Sequence, residues 1–128
     1  MRHQFDELSG HVIEAAIAVH RELGPGFIES IYESAMKTAL RHRGMTYEAQ
    51  KEVTVIFEGE EAGVHRLDLV VEGEIVVELK AVKTLEDIHF AQVKSYLKAT
   101  GLCVGLLLNF NAPTLVVKRV VLDFKPRP

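Results

Sequence analysis

The apolar residues of this chain change their spacing three times, and each change forces a different kind of element. Phe5, Leu8, Val12, Ala15, Ala16, Val19 and Leu23 recur at helical spacing. The run LGPG then supplies a glycine stop and a proline that cannot continue a helix. A second helical set, Ile28, Ile31, Tyr32, Ala35, Met36, Ala39 and Leu40, starts after Gly26 and ends at Gly44, a natural C′ residue. From Met45 to Lys80 the period drops to two and β-branched residues accumulate in EVTVIF, HRLDLVV and EIVVELK. The turn-forming EGEEAG and EGE between them make three antiparallel strands. Thr84, with Asp87 three residues on, has the form of a capping box. Leu85, Ile88, Ala91 or Gln92, and Tyr96 then carry a third helix to Gly101. LCVGLLLNF and TLVVKRVVL, broken by NAPT, complete the chain as two strands, the first apolar enough to be buried on both faces. The predicted order is ααβββαββ.

At 128 residues, 48% of them hydrophobic, there is enough apolar side chain for one core and no room for a second, so residues 1–128 are expected to form a single domain. The lone Cys103 has no intramolecular partner and lies in an apolar run, as a buried thiol of a reducing, cytoplasmic protein would. MRHQFDELSG lacks the plan of a signal peptide, and no apolar run approaches the roughly 20 residues of a membrane helix. Neither export nor a membrane partner is expected. A net charge of −3 is unlike that of a dedicated nucleic-acid binder, which draws affinity from displaced phosphate counterions. KTALRHRG, with Lys37, Arg41 and Arg43, is a candidate basic patch. It also reads as a solvated last helical turn whose cations complement the dipole.

Chemistry enters with VVELK. On a strand, Glu78 and Lys80 point to one face and Ile75, Val77 and Leu79 to the other. The preceding strand offers Leu67, Leu69 and Val71 against Arg66, Asp68 and Val70. A two-residue loop between these strands would put Asp68 and Glu78 on opposite faces. A three-residue loop centred on Gly73 sets them directly opposite each other and keeps the apolar sets together, which makes it the expected register. Two opposed carboxylates repel, and a hard dication relieves this. Mg²⁺ prefers one or two carboxylates, waters and substrate phosphate. Lys80, on the same face, could hold an attacking water or meet charge developing on a phosphate. Three surface charges in cross-strand ion pairs are the plainer reading of the same spacing.

Asp68 followed by Glu78-Leu79-Lys80, on adjacent strands behind an amino-terminal helix, resembles the PD-(D/E)XK nuclease superfamily. Gly26-Phe27-Ile28-Glu29-Ser30-Ile31-Tyr32 is similar to the GxxExxY signature of one family in it, and Gln92-Val93-Lys94-Ser95-Tyr96 to the QxxxY motif of its exonuclease-like branch. The resemblance spans Gly26 to Tyr96; Leu67 stands where the superfamily's name has its variable proline. It implies an α/β, restriction-endonuclease-like core with a mixed sheet of about five strands flanked by helices. It also implies hydrolysis of phosphodiester bonds in nucleic acid, DNA ahead of RNA, with Mg²⁺ or Mn²⁺. Carried over to this chain, Glu29, Asp68, Glu78 and the Leu79 carbonyl become metal ligands and Lys80 the catalytic lysine. Gln92 and Tyr96 become orienting residues on one face of the third helix.

Several of these residues have ordinary explanations as well. Glu29 lies in a first helical turn, where the dipole stabilises any acid. Tyr32 has core spacing and is expected to support Glu29. Gln92 interrupts an apolar stripe, and a buried amide needs partners. His20, His42, His65 and His89 lack paired zinc spacing, and GPGFIES lacks the ending of a phosphate loop. Two rival functions follow from the composition. An acidic core that keeps the fold as a non-catalytic binding module would rely on a protein partner or a homo-oligomer for its grip. A glycosidase would use Asp68 and Glu78 roughly 5 Å apart, but a chain without tryptophan has few platforms for a sugar.

Overall fold

The computed structural model describes residues 6–122. Phe5 of the first stripe and the KPRP tail, expected to fray, lie outside the described residues. The elements are α1 (Asp6–Leu23), α2 (Glu29–His42), β1 (Tyr47–Phe57), β2 (Glu60–Val71), β3 (Ile75–Lys80), α3 (Asp87–Thr100), β4 (Val104–Asn109) and β5 (Val116–Val121). The strands form one sheet in sequential order, antiparallel throughout except for the parallel pair β3–β4. A parallel pair needs a crossover, and α3 provides it. The architecture is the mixed five-stranded α/β sheet, in the order ααβββαββ, that the spacing and the resemblance led us to expect. No described helix is long and apolar enough to cross a membrane.

The sheet separates two cores. α1 and α2 bury Val12, Ala15, Tyr32 and Met36 against Leu69, Val77, Leu79 and Leu106. On the other face α3 buries Val93, Tyr96 and Leu97 against Leu67, Val70, Val76 and Leu107. β4 is buried at all six positions because its leucines alternate between the two cores.

Four local expectations are corrected. Leu67 does not share a face with Leu69 and Val71: it packs under α3 with Val70 and Val76, so the face bearing the acids is itself apolar on either side of them. The alternation slips at Asp68. Opposite it on β1, Gln50 adopts a left-handed φ of 52° and drops out of the ladder between the pairs Ala49–Leu69 and Lys51–Leu67. Second, α3 starts at Asp87 rather than after Thr84. Glu86 is its N-cap, and the Glu86 N–H donates to His89 Nδ1 at 2.9 Å, an imidazole filling the place the capping-box pattern gives to Glu or Gln. Third, the core stripe of α3 runs through Phe90, Val93, Tyr96 and Leu97, which keeps Tyr96 as expected but leaves Ile88 67% exposed. Fourth, Cys103 is only half-buried.

α3 approaches β4 closely at Gly105. A Cβ built there would stand 2.5 Å from Val93 Cγ1, and a β-branched side chain in a helix has little rotameric freedom with which to retreat. Gly105→Ala is expected to destabilise the fold by about 1–3 kcal/mol by lifting α3 off the sheet. Urea unfolding of the two proteins measures this; equal midpoints would show that the contact relaxes without cost.

Candidate active site

The β2–β3 connection sets the geometry of the acids. Glu72, Gly73 and Glu74 join Val71 to Ile75, with Glu72 and Gly73 both left-handed and the Glu74 N–H donating to the Val71 carbonyl at 3.0 Å. Glu72 is fixed from outside, since its carboxylate accepts from the N–H and hydroxyl of Thr46. The ladder pairs Val71 with Ile75, Val70 with Val76 and Leu69 with Val77, which is the three-residue register. One step further, Asp68 faces Glu78, and there side chains replace the backbone ladder. The Asp68 N–H donates to Glu78 Oε2 at 2.8 Å, and the Leu79 N–H donates to Asp68 Oδ2 at 2.9 Å.

Both carboxylates are held in unfavourable surroundings. Glu78 is 2% exposed, and burial, followed by the charge of Asp68, pushes its carboxyl up to about 8. Asp68 is also raised, first by burial and then by the charges of Glu33 and Glu29, while the Leu79 N–H and Lys80 act in the opposite direction. Lys80 Nζ donates to Gln92 Oε1 at 3.2 Å, so strand and helix meet at two of the candidate residues, a contact not foreseen from the sequence. The Lys80 backbone is anchored to β4: its carbonyl accepts from the Phe110 N–H at 2.9 Å. Beyond it, buried Asn109 holds both the N–H and the carbonyl of Val82, at 3.1 and 2.8 Å. Tyr96 lies edge-on to His65, ring centroids 4.7 Å apart, and burial plus the charges of Glu78 and Asp68 push its hydroxyl up to about 12. At neutral pH it is a phenol that can donate.

Helix α2 supplies the second wall. Gly26, at φ 108°, turns the chain into the helix in a conformation that suits glycine. Tyr32 then ties that turn down: its hydroxyl donates to the Gly24 carbonyl at 2.6 Å and accepts from the Phe27 N–H at 3.2 Å, while its ring stacks on Phe110 at 4.5 Å. Tyr32 is fully buried, so it supports the segment carrying Glu29 and has no surface for a substrate. Glu29 itself is exposed in the first turn. Its charge reaches Asp68 and Glu78, yet among the described residues no three His, Cys, Asp or Glu side chains gather as a metal-ligand cluster. The structure therefore brings Asp68, Glu78, Lys80, Gln92 and Tyr96 together and leaves Glu29 as an outlying acid.

Two residues here were not anticipated. Glu33 has the largest charge effect on Asp68, and it accepts from Gln50 Nε2 at 2.5 Å and pairs with Lys37 at 3.4 Å. Its position four residues after Glu29, on the same helical face, was a usable signal. Gln50 had none, because nothing in the local sequence marks a glutamine for φ > 0. The basic stretch around Lys37 is occupied internally: Arg41 donates to the Tyr47 hydroxyl and Arg43 to the Ala39 carbonyl.

A family model for the PD-(D/E)XK nuclease superfamily matches residues 6–120, and the chain belongs to that superfamily. Among solved structures, that of SSO0001 superposes with a TM-score of 0.59 at 19% identity, covering 75% of this chain. This chain spans half the length of SSO0001. No curated protein matches it. Nucleases of the superfamily generally use divalent metal ions, and the donor set fits one. Asp68 and Glu78 each spend one oxygen on a backbone N–H and keep the other free of protein hydrogen bonds among the described residues. Two hard carboxylate oxygens are what Mg²⁺ asks of a protein.

The raised Glu78 carboxyl has a definite consequence for stability. An acid whose folded pKa lies above its ordinary 4.5 costs nothing while protonated in both states, and progressively destabilises the fold as pH rises from about 4.5 to about 8. Glu78→Gln keeps an acceptor for the Asp68 N–H and removes the charge. In EDTA the variant is expected to match wild type at pH 5 and to be more stable by about 1–3 kcal/mol at pH 9. Thermal melts at both pH values test this; a variant less stable than wild type at pH 9 would contradict it.

Proposed function

We propose that this chain is a metal-dependent nuclease of the GxxExxY type that hydrolyses phosphodiester bonds in nucleic acid, DNA in the first instance. The observation that carries the reading is the reciprocal seating of Asp68 and Glu78 at the parting of β2 and β3, with Lys80 beside them on Gln92. Asp68 and Glu78 would hold Mg²⁺ or Mn²⁺, with the Leu79 carbonyl and Glu29 available to complete the shell. A divalent ion so bound supplies Lewis-acid polarisation of a phosphoryl oxygen. Lys80, restrained by Gln92, presents its ammonium where negative charge builds on the phosphorus centre. Tyr96 offers a phenolic donor next to the same acids, and Glu33 holds the β1 segment that faces Asp68.

Asp68→Ala and Lys80→Ala are each expected to lower Mn²⁺-dependent cleavage of labelled DNA at least about 100-fold. Cleavage that survives both substitutions would remove the assignment. Mn²⁺ should also raise the melting temperature of wild type, because it binds only the folded state, and should fail to do so for Asp68→Ala.

A second reading draws on the outlying position of Glu29 and the absence of a three-ligand cluster among the described residues: a non-catalytic module that keeps the fold to bind nucleic acid or a protein. Calorimetric titration with Mn²⁺ separates the two. The nuclease requires binding that Glu78→Ala abolishes; the module requires none.

A further inference from the structure

We infer that single-stranded nucleic acid leaves the acid site along the outer side of α3, in a carboxylate-free groove whose far phosphate contact is Lys98. The inference rests on the nuclease reading of the site and gives it the polyanion grip that a net charge of −3 conceals.

Two clefts lie side by side on this surface. One, of about 450 Å³, is lined by Lys80, Ile88, His89, Gln92 and Ser95 and opens beside the catalytic pair. The other, of about 370 Å³, lies between α3 and the β1–β2 hairpin and is lined by Thr54, Ile56, His65, Ser95 and Lys98. They share Ser95, so together they form one path. Lys98 stands six residues beyond Gln92, or about 9 Å along the helix axis.

The lining chemistry sets this path apart. Among the described residues neither cleft is lined by an aspartate or glutamate, in a chain with 18 of them. The three other principal clefts each carry glutamate: Glu7, Glu72 and Glu74 in one, Glu48 and Glu52 in the second, Glu22 in the third. Residues 88–122 contain no acid at all, but four cations, Lys94, Lys98, Lys118 and Arg119. Lys37, Lys51, Arg66 and Arg119 are each paired with a carboxylate, whereas Lys80 and Lys98 pair with none among the described residues. Lys80, beside the acid pair but ion-paired to neither, and Lys98, ion-paired to no described carboxylate, mark the two ends of the path and suit a phosphodiester chain.

The occupant is a single strand. The groove is walled by α3 along its length, with the hairpin opposite in one cleft and Lys80 of β3 in the other, and offers apolar and ring surface in Ile56, Ile88 and His65 on which unpaired bases can rest. Sequence-independent single-strand binding combines such surface with cations along the backbone.

The test is fluorescence anisotropy with a labelled 12-nucleotide oligothymidylate, in EDTA so that nothing is cut. It compares wild type, Lys98→Ala and, as a control that removes an equal charge from the same helix outside both clefts, Lys94→Ala. Lys98→Ala is expected to weaken binding about fivefold at 0.1 M salt and to lower the salt slope by about 0.7. Lys94→Ala should change affinity less than about twofold, and hydrolysis of a small chromogenic phosphodiester with Mn²⁺ should be unchanged in Lys98→Ala. Equal losses in the two variants, no binding by wild type, or a duplex bound as tightly and lowered as much by Lys98→Ala would each overturn the groove. Should the Lys98 effect appear while wild type hydrolyses no diester, the groove stands and the catalytic reading falls.

Discussion

At the point where β2 and β3 part, the backbone ladder ends with Leu69 and Val77, and the carboxylates of Glu78 and Asp68 take over its last two rungs. Splitting two strands of a sheet exposes N–H groups whose desolvation without a partner would cost about as much as a lost hydrogen bond. Here the partners are the acids themselves. The opening between the strands and the orientation of the carboxylates are therefore one structural fact. Neither acid can be replaced by an apolar residue without leaving an N–H unpaired, and neither can rotate away without closing or distorting the gap.

That arrangement concentrates negative charge in a buried place. Burial raises the proton affinity of both acids, the charge of Asp68 adds to it at Glu78 and the charges of Glu33 and Glu29 add to it at Asp68, and Lys80 opposes them while its ammonium donates to an amide oxygen rather than to either acid. A site that was only a surface ion-pair cluster would have matched cation to anion and left both exposed. Burial of an unbalanced acid pair is the arrangement the proposed dication site would require. Tyr96 carries the same imprint in the same sense, since burial and then the two acids hold its proton more firmly.

Much of this could be read from the chain before its coordinates. The switch of period at Met45, the punctuation at Gly26 and Gly44, and the leucines of β4 give the element order. Keeping Leu69 and Val77 in the core requires the three-residue turn that opposes Asp68 to Glu78. What escaped reading was non-local or conformational. The slip at Asp68 depends on the left-handed Gln50 across the sheet, which no β-propensity reveals. It sends Leu67 to the opposite core from its i+2 neighbour. Glu33 was hidden because the motif led to Glu29, although only the tertiary packing decides which turn of α2 lies nearer Asp68. The start of α3 moved because histidine can accept an N–H where the familiar pattern looks for Glu or Gln.

Among the described residues the sheet's two cores are unequal, eighteen buried residues on the α1–α2 side against eight under α3. Opening free energy within a protein follows local burial. Glu78 points to the same side of the sheet as Gln92 and Tyr96, so the strands that carry the acids are backed by the larger core while the helical wall facing them rests on the smaller one, and that wall is the part of the site with freedom to breathe.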